Sequence, residues 1–237
     1  MKLHRLLFFI AFLSVISFSC VNAQKYISGK GPKVTKELSL SSFDGIGLSI
    51  NADVYLRQGP QSVKIEAQQN ILDNIKTEVG DDSWNIRFIK KVRHHDGVKI
   101  WISIPSLSRI AVSGSGDVKS TGDFANLGDL ALAVSGSGNI TLGATSQSVK
   151  AAISGSGDIV LSGATGDFSV SIAGSGDIRA KDLVATGCNA SISGSGDASV
   201  HATKKLNVAI VGSGDVVYSG NPSVRSKISG SGDVKSY

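Results

Sequence analysis

A chain of 237 residues that is 41% hydrophobic and 18% charged has the make-up of a folded protein, which excludes bulk disorder. Its 28 glycines against only 4 prolines point to repeated tight turns and away from a Pro-rich linker. The net charge of +5 falls to +3 once Lys2 and Arg5 of the leader are set aside. With no dense Lys/Arg stretch interleaved with aromatics, nothing argues for a nucleic-acid partner.

The first segment in chain order is a leader. Met1-Lys2-Leu3-His4-Arg5 is a short basic start, and Leu6 to Phe18 is an almost unbroken apolar run. Val21-Asn22-Ala23 then places tolerated residues before a cleavage at Gln24. Residues 1–23 read as a secretory signal peptide whose core is too short for a comfortable membrane anchor. The mature chain, 24–237, then reads as one exported domain without a transmembrane segment, in the periplasm, the outer membrane or at the cell surface. Cys20 offers a second reading, a lipoprotein acylated on that cysteine, but Ser17 stands where a branched aliphatic is usual. Plain cleavage leaves Cys188 alone. Without a disulfide, packing and backbone pairing must hold the fold.

Residues 24–108 read as irregular β-structure. Strands are expected near Val34–Leu40, Gly45–Ile50, Val54–Leu56, Val63–Ala67, Ser83–Ile89 and Val98–Ile104. A short helix is expected at Gln69–Ile75, with Ile71, Leu72 and Ile75 on one side. Trp84, Phe88 and Trp101 concentrate here, which suits a cap on the end of a repeat array. Leu48-Ser49-Ile50-Asn51-Ala52-Asp53-Val54 matches Val112-Ser113-Gly114-Ser115-Gly116-Asp117-Val118 position for position, with the glycines replaced.

From residue 109 the chain becomes regular. Ser-Gly-Ser-Gly-Asp or a close variant recurs, with first glycines at 114, 136, 155, 174, 194, 212 and 230. The spacings are 22, 19, 19, 20, 18 and 18, a solenoid period. Apolar residues alternate before each motif (Leu130, Leu132, Val134; Val149, Ala151, Ile153; Phe168, Val170, Ile172) and again after it (Ile140, Leu142; Ile159, Leu161). Such alternation marks strands with one buried face. Each repeat therefore reads as strand, Gly-Ser corner, strand, second corner, the latter at Gly143-Ala144 or Gly163-Ala164. The fold class is all-β: a parallel β-helix of short coils, right-handed by the general rule for parallel crossovers. The chain stops soon after Val234 without a capping helix, so an exposed coil edge is expected, and with it a route to a homo-oligomer.

These residues also carry a family resemblance. Phe43-Asp44-Gly45-Ile46, Asp53-Val54-Tyr55-Leu56-Arg57-Gln58-Gly59, Val63-Lys64-Ile65-Glu66-Ala67, Leu72-Asp73-Asn74-Ile75, Val98-Lys99-Ile100 and Ile104-Pro105, followed by the repeats, resemble the head GIN domain family. That family comprises autotransporter-adhesin-like envelope proteins common in Bacteroidota. The resemblance covers nearly all of the mature chain. It implies a β-helix-like fold and supplies no catalytic residues.

Candidate sites are few. Asp117, Asp158, Asp177, Asp197, Asp215 and Asp233, with Asn139 in the series, form an acidic ladder that resembles a calcium-binding β-roll only in part: one Asp per coil, instead of two, offers a hard cation too few oxygens. A turn role is favoured, with Gly-rich N–H groups donating to each side chain as in Asx-turns. His94 and His95, in a basic turn, would point to opposite sides of a strand and chelate poorly, so they read as a solvated loop. Of the other mature-chain sites, His201 stands alone, and Cys188 falls in the apolar alternation and reads as a buried small hydrophobe. No Gly-x-Ser-x-Gly elbow or nucleotide-binding glycine loop is present, so neither an enzyme nor a cofactor is expected. The leading reading is an adhesin-like scaffold that contacts an envelope protein or glycan or itself. A carbohydrate-binding or carbohydrate-active β-helix, a weak calcium-binding repeat protein and a periplasmic sensor are the alternatives.

Overall fold

The structure is a computed structural model that describes residues 26–237. The expected signal peptide, its cleavage point and Cys20 lie outside the described residues. In chain order the elements begin with β1 (Ile27–Ser28), β2 (Lys33–Leu38), β3 (Gly45–Leu48), β4 (Asp53–Gln58), β5 (Ser62–Gln68) and α1 (Gln69–Leu72). Then come β6 (Val79–Gly80), β7 (Ser83–Ile86), β8 (Val92–His94), β9 (Lys99–Ile104) and β10 (Arg109–Val112). The repeats form β11 (Asp117–Val134), β12 (Ile140–Gly155), β13 (Ile159–Gly174), β14 (Ile178–Gly194) and β15 (Ala198–Gly212). The last elements are β16 (Val216–Ser219), β17 (Ser223–Gly230) and β18 (Val234–Ser236).

The repeats stack as parallel coils in a β-solenoid. Corresponding residues fall in register, so alternate positions build columns: Leu130, Val149, Phe168, Cys188, Leu206 and Val224 form one. A second column is Val134, Ile153, Ile172, Ile192, Ile210 and Ile228. All members but the last of each are buried. Full burial of one such aliphatic side chain contributes about 1.5–3 kcal/mol, and each column repeats that gain once per coil. In β11 to β15 the second corner does not break the strand, contrary to the sequence reading, whereas Gly220-Asn221-Pro222 separates β16 from β17 as expected. β12 pairs with β13 continuously from Ile140 to Gly155, through Gly143 and Ala144, which lie opposite Ser162 and Gly163. Small residues let the chain bend there with the β12–β13 ladder in register, while the β11–β12, β13–β14 and β14–β15 pairs shift register at the same corner.

The Ser-Gly-Ser-Gly corner does break the strand, and its glycines are fixed by close stacking. Gly155 has φ of +149°, and a Cβ there would strike the Gly136 carbonyl of the coil below. Gly157 lacks the unusual φ, but a Cβ there would strike the Gly138 carbonyl and come within 2.8 Å of Val134 Cγ1. Both corner N–H groups after Gly155 reach back to that lower coil, Ser156 and Gly157 each donating to Gly136 O.

The N-terminal half is threaded out of chain order. β3 pairs in parallel with both β10 and β7, and β4 with both β11 and β9. The coil made by β3 and β4 therefore lies inside the coil made by β7 and β9. Leu48 sits opposite Val112, and Asp53 and Val54 opposite Asp117 and Val118, so the match read between these two segments is a contact between neighbouring coils. β9 is inserted between β4, to which it is parallel, and β5, to which it is antiparallel. β2 then adds antiparallel to β5. The reversed strand β5 and the strand β2, which runs with the coils again, close the N-terminal end together with α1.

Several expected boundaries shift. The helix covers Gln69–Leu72 only, and the chain continues through turns in which Asn74 and Ile75 N–H groups donate to Ile71 O and Leu72 O. Ile71, Leu72 and Ile75 are all buried as expected. β2 stops at Leu38, because Ser39 to Phe43 are tied down by Gln61: its amide donates to Leu40 O and Ser41 O and accepts from Phe43 N–H. β7 stops at Ile86, beyond which Phe88 bridges to Ile75.

Candidate functional site

The acidic ladder is a chain of backbone-to-side-chain hydrogen bonds running along the solenoid. Asn139 N–H donates to Asp117 Oδ1, Asp158 N–H to Asn139 Oδ1, and Asp177 N–H to Asp158 Oδ1. Asp197, Asp215 and Asp233 continue the series at 3.0, 2.7 and 2.8 Å. The donor is thus the next coil and not the residue's own turn; only Asp233 also accepts locally, from Val234 N–H. One oxygen of each side chain is committed to this role, which an amide fills as well as a carboxylate. Arg179 bridges Asp158 and Asp177 at 2.8 and 3.0 Å, and Lys235 pairs with Asp233 at 3.1 Å. Among the described residues no three His, Cys, Asp or Glu side chains gather at metal-binding spacing.

The other singled-out residues are dispersed. His94, at the end of β8, is exposed and lies 3.6 Å from Asp96. His95 is half-buried, meets the Phe88 ring edge-on at 5.8 Å, and accepts the Gly97 N–H on Nδ1. Burial first, and then the neighbouring His94, hold His95 below the ordinary histidine pKa. His201 lies in β15 opposite Ser219, away from both. Cys188 is 1% exposed between Phe168 and Leu206, and burial pushes its thiol up to about 12.

A different site emerges at the capped end, from residues that the sequence reading did not single out as a site. Alternation sends Tyr55 and Arg57 of β4, Trp101 and Ser103 of β9, and Ser62 and Lys64 of β5 to the outer face of the sheet. The out-of-order threading then places them side by side. Tyr55, Trp101, Lys64 and Glu37 form one row across β4, β9, β5 and β2. Arg57, Ser103 and Ser62 form the next. The Tyr55 and Trp101 rings stack, with centroids 5.9 Å apart and planes at 20°, and Lys64 Nζ lies 5.7 Å from the centre of the Trp101 ring.

With the segment after β2 as one wall, these rows line a groove of about 820 Å³. That lies within the roughly 300–1,000 Å³ of small-ligand clefts. Ser103 lines it, is 2% exposed, and its Oγ has no hydrogen-bond partner. A buried hydroxyl left unpaired costs about 1–3 kcal/mol. Gly59 crosses beside it, so close that a Cβ there would come within 2.9 Å of Ser103 Oγ. The lining holds a single carboxylate, Glu37. Sequence signals for the separate parts existed, in the alternation of Lys99-Ile100-Trp101-Ile102-Ser103-Ile104, but the insertion of β9 beside β5 did not.

Comparisons with known proteins agree with this architecture. The family model described as "Putative auto-transporter adhesin, head GIN domain" matches residues 42–222. A crystal structure of a "putative adhesin" from Bacteroides fragilis is 27% identical, covers 89% of this chain and 100% of its own, and superposes with a TM-score of 0.84. A "putative lipid binding protein" from Parabacteroides distasonis is 25% identical over 90% of this chain and 100% of its own, with a TM-score of 0.75. A "putative adhesin" from the same organism is 25% identical over the same shares, with a TM-score of 0.72. No curated protein matches the chain. The match over 42–222, on a fold shared with these structures, establishes that the chain belongs to the head GIN domain family.

Proposed function

We propose that this protein is exported and acts as an adhesin-like element of the cell envelope, a stiff rod that holds a binding groove at its capped end. The groove beside Trp101 carries the reading. The repeats supply a stacked scaffold: nine rungs on the corner face, from β7 through β3, β10 and the repeats to β17, span about 38 Å at ~4.8 Å per step. The single carboxylate in the groove supports recognition over cleavage, because glycoside hydrolysis ordinarily takes a pair of acids flanking the bond.

The test is retention under flow. Beads coated with residues 24–237 are passed over surfaces bearing polysaccharides or matrix proteins. Retention on at least one such coat, and none on bare surfaces, is the expected result. Equal passage over every coat contradicts the reading.

Self-association is a second reading, favoured by the last rung. β17 pairs with β15 alone and is exposed along its whole length, including Val224 and Ile228. Arg225 and Lys227 on this strand oppose pairing of two like edges. Light scattering across a concentration series decides it: a constant monomer mass removes this reading and leaves the groove as the means of contact.

A further inference from the structure

We propose that the groove beside Trp101 binds a sugar carrying a carboxylate, a uronic acid unit of an acidic polysaccharide. This rests on the adhesin-like reading and gives it a ligand class. Three observations carry it.

The first is the platform. Tyr55 and Trp101 lie stacked on each other and half-buried on the outer face, and the part of the pair left open to the groove is apolar, polarisable surface against which the C–H groups of a pyranose can pack. The second is charge. Arg57 and Lys64 flank the platform, and neither forms a salt bridge among the described residues. Glu37 is the lone opposing charge in the lining. A guanidinium and an ammonium on either side of one ring suit an anion held beside it. The third is the Ser103 hydroxyl, buried, unpaired and part of the lining, which needs a polar partner. Sugar hydroxyls supply one.

The same lining argues against an acyl chain. Val63 and Ile102 contribute to the wall, but both are turned into the core at 3% and 1% exposure. Leu38 and Leu40 add part-exposed apolar surface, but Glu37, Arg57, Ser62 and Lys64 stand among the lining groups, and an acyl chain would strip water from these without replacing its bonds. A volume of about 820 Å³ accommodates a short oligosaccharide and is far larger than a simple ion needs.

The experiment titrates residues 24–237 by calorimetry with trigalacturonate, and in parallel with the neutral trisaccharide maltotriose. Saturable binding of the acidic sugar, weakened by salt and at least about tenfold tighter than the neutral one, is expected. Trp101→Ala should weaken it by about tenfold or more. The double change Arg57→Gln with Lys64→Gln should bring the two sugars to similar affinity. All three side chains face outward, so unchanged thermal unfolding shows that loss is not misfolding. If Trp101→Ala does not fold, Trp101→Gln and the double variant carry the test. Absence of saturable trigalacturonate binding up to 10 mM, on the order of the weakest useful affinity, overturns the proposal. Equal binding of maltotriose overturns the charge assignment, and undiminished binding by Trp101→Ala overturns the site. Retention under flow that survives Trp101→Ala would leave the adhesin-like reading standing while removing this groove as its means; loss of both assays removes both.

Discussion

Leu48 and Val112 lie directly opposite each other in neighbouring parallel strands, although 64 positions separate them in the sequence. Between them the chain runs outward to build the terminal coil and returns. That excursion inserts β9 between β4 and β5 and brings Trp101 against Tyr55 and Lys64. The groove is a product of this threading, and the repeats are the scaffold on which it sits.

Gly157 tests the corner stacking. Gly157→Ala places a methyl group against the backbone of Gly138 and against Val134, an overpacking expected to cost about 1–3 kcal/mol. Gly128→Ala meets nothing within 4 Å and should lie within about 0.5 kcal/mol of the parent. Urea unfolding of both variants checks the contrast. Equal stability would mean that the corners are looser than the close approach of their backbones implies.

Phe168 is the largest side chain in its column and is fully buried between Val149 and Cys188. Phe168→Ala should cost about 3–5 kcal/mol. Cys188, beside it, should resist a thiol reagent at pH 8 until denaturant is added, since burial raises its pKa to about 12. Rapid labelling of the native protein would contradict the packing of this column.

The acidic ladder should tolerate neutralisation. Asp177→Asn keeps the acceptor for the Asp197 N–H, as Asn139 does for Asp158, and should change stability by less than about 0.5 kcal/mol, because the ion pair with Arg179 is exposed. Asp177→Ala removes the acceptor and should cost about 0.5–1.5 kcal/mol. Thermal unfolding with 1 mM calcium and with chelator extends the test. A calcium-dependent rise in Tm that Asp177→Asn abolishes would make the ladder a metal site.

His95 gives a pH dependence of known sign. Its folded pKa lies below the ordinary value, with burial as the first cause, so the folded state favours the neutral ring. The unfolded chain binds a proton more readily, and this contribution to stability is lost as pH falls from about 6.5 through the folded pKa. His95→Gln should therefore flatten the decline in Tm between roughly pH 7 and pH 5. A decline as steep in the variant as in the parent would contradict this placement.

The regular half of the fold was legible because each coil repeats the same alternation, and columns such as Leu130, Val149 and Phe168 follow once the coils are stacked. The match of Leu48–Val54 with Val112–Val118 was legible for the same reason. The terminal coil was not, because residues 87–98 replace the Gly-Ser corner and remove the period that identifies neighbours. The antiparallel pairing of β5 with β9 also leaves no local signal, since a strand's alternation is the same in either direction. Ser103 reads as an ordinary outward serine until Gly59 and β5 are placed beside it.

Hydrogen–deuterium exchange of residues 24–237, with and without saturating trigalacturonate, tests most directly the claim that recognition lies at the capped end while the repeats are scaffold. New protection is expected at residues 37–40, 55–64 and 99–104, with the Ser-Gly-Ser-Gly-Asp corners unchanged. Protection spread along the corners, with none around Trp101, would contradict it.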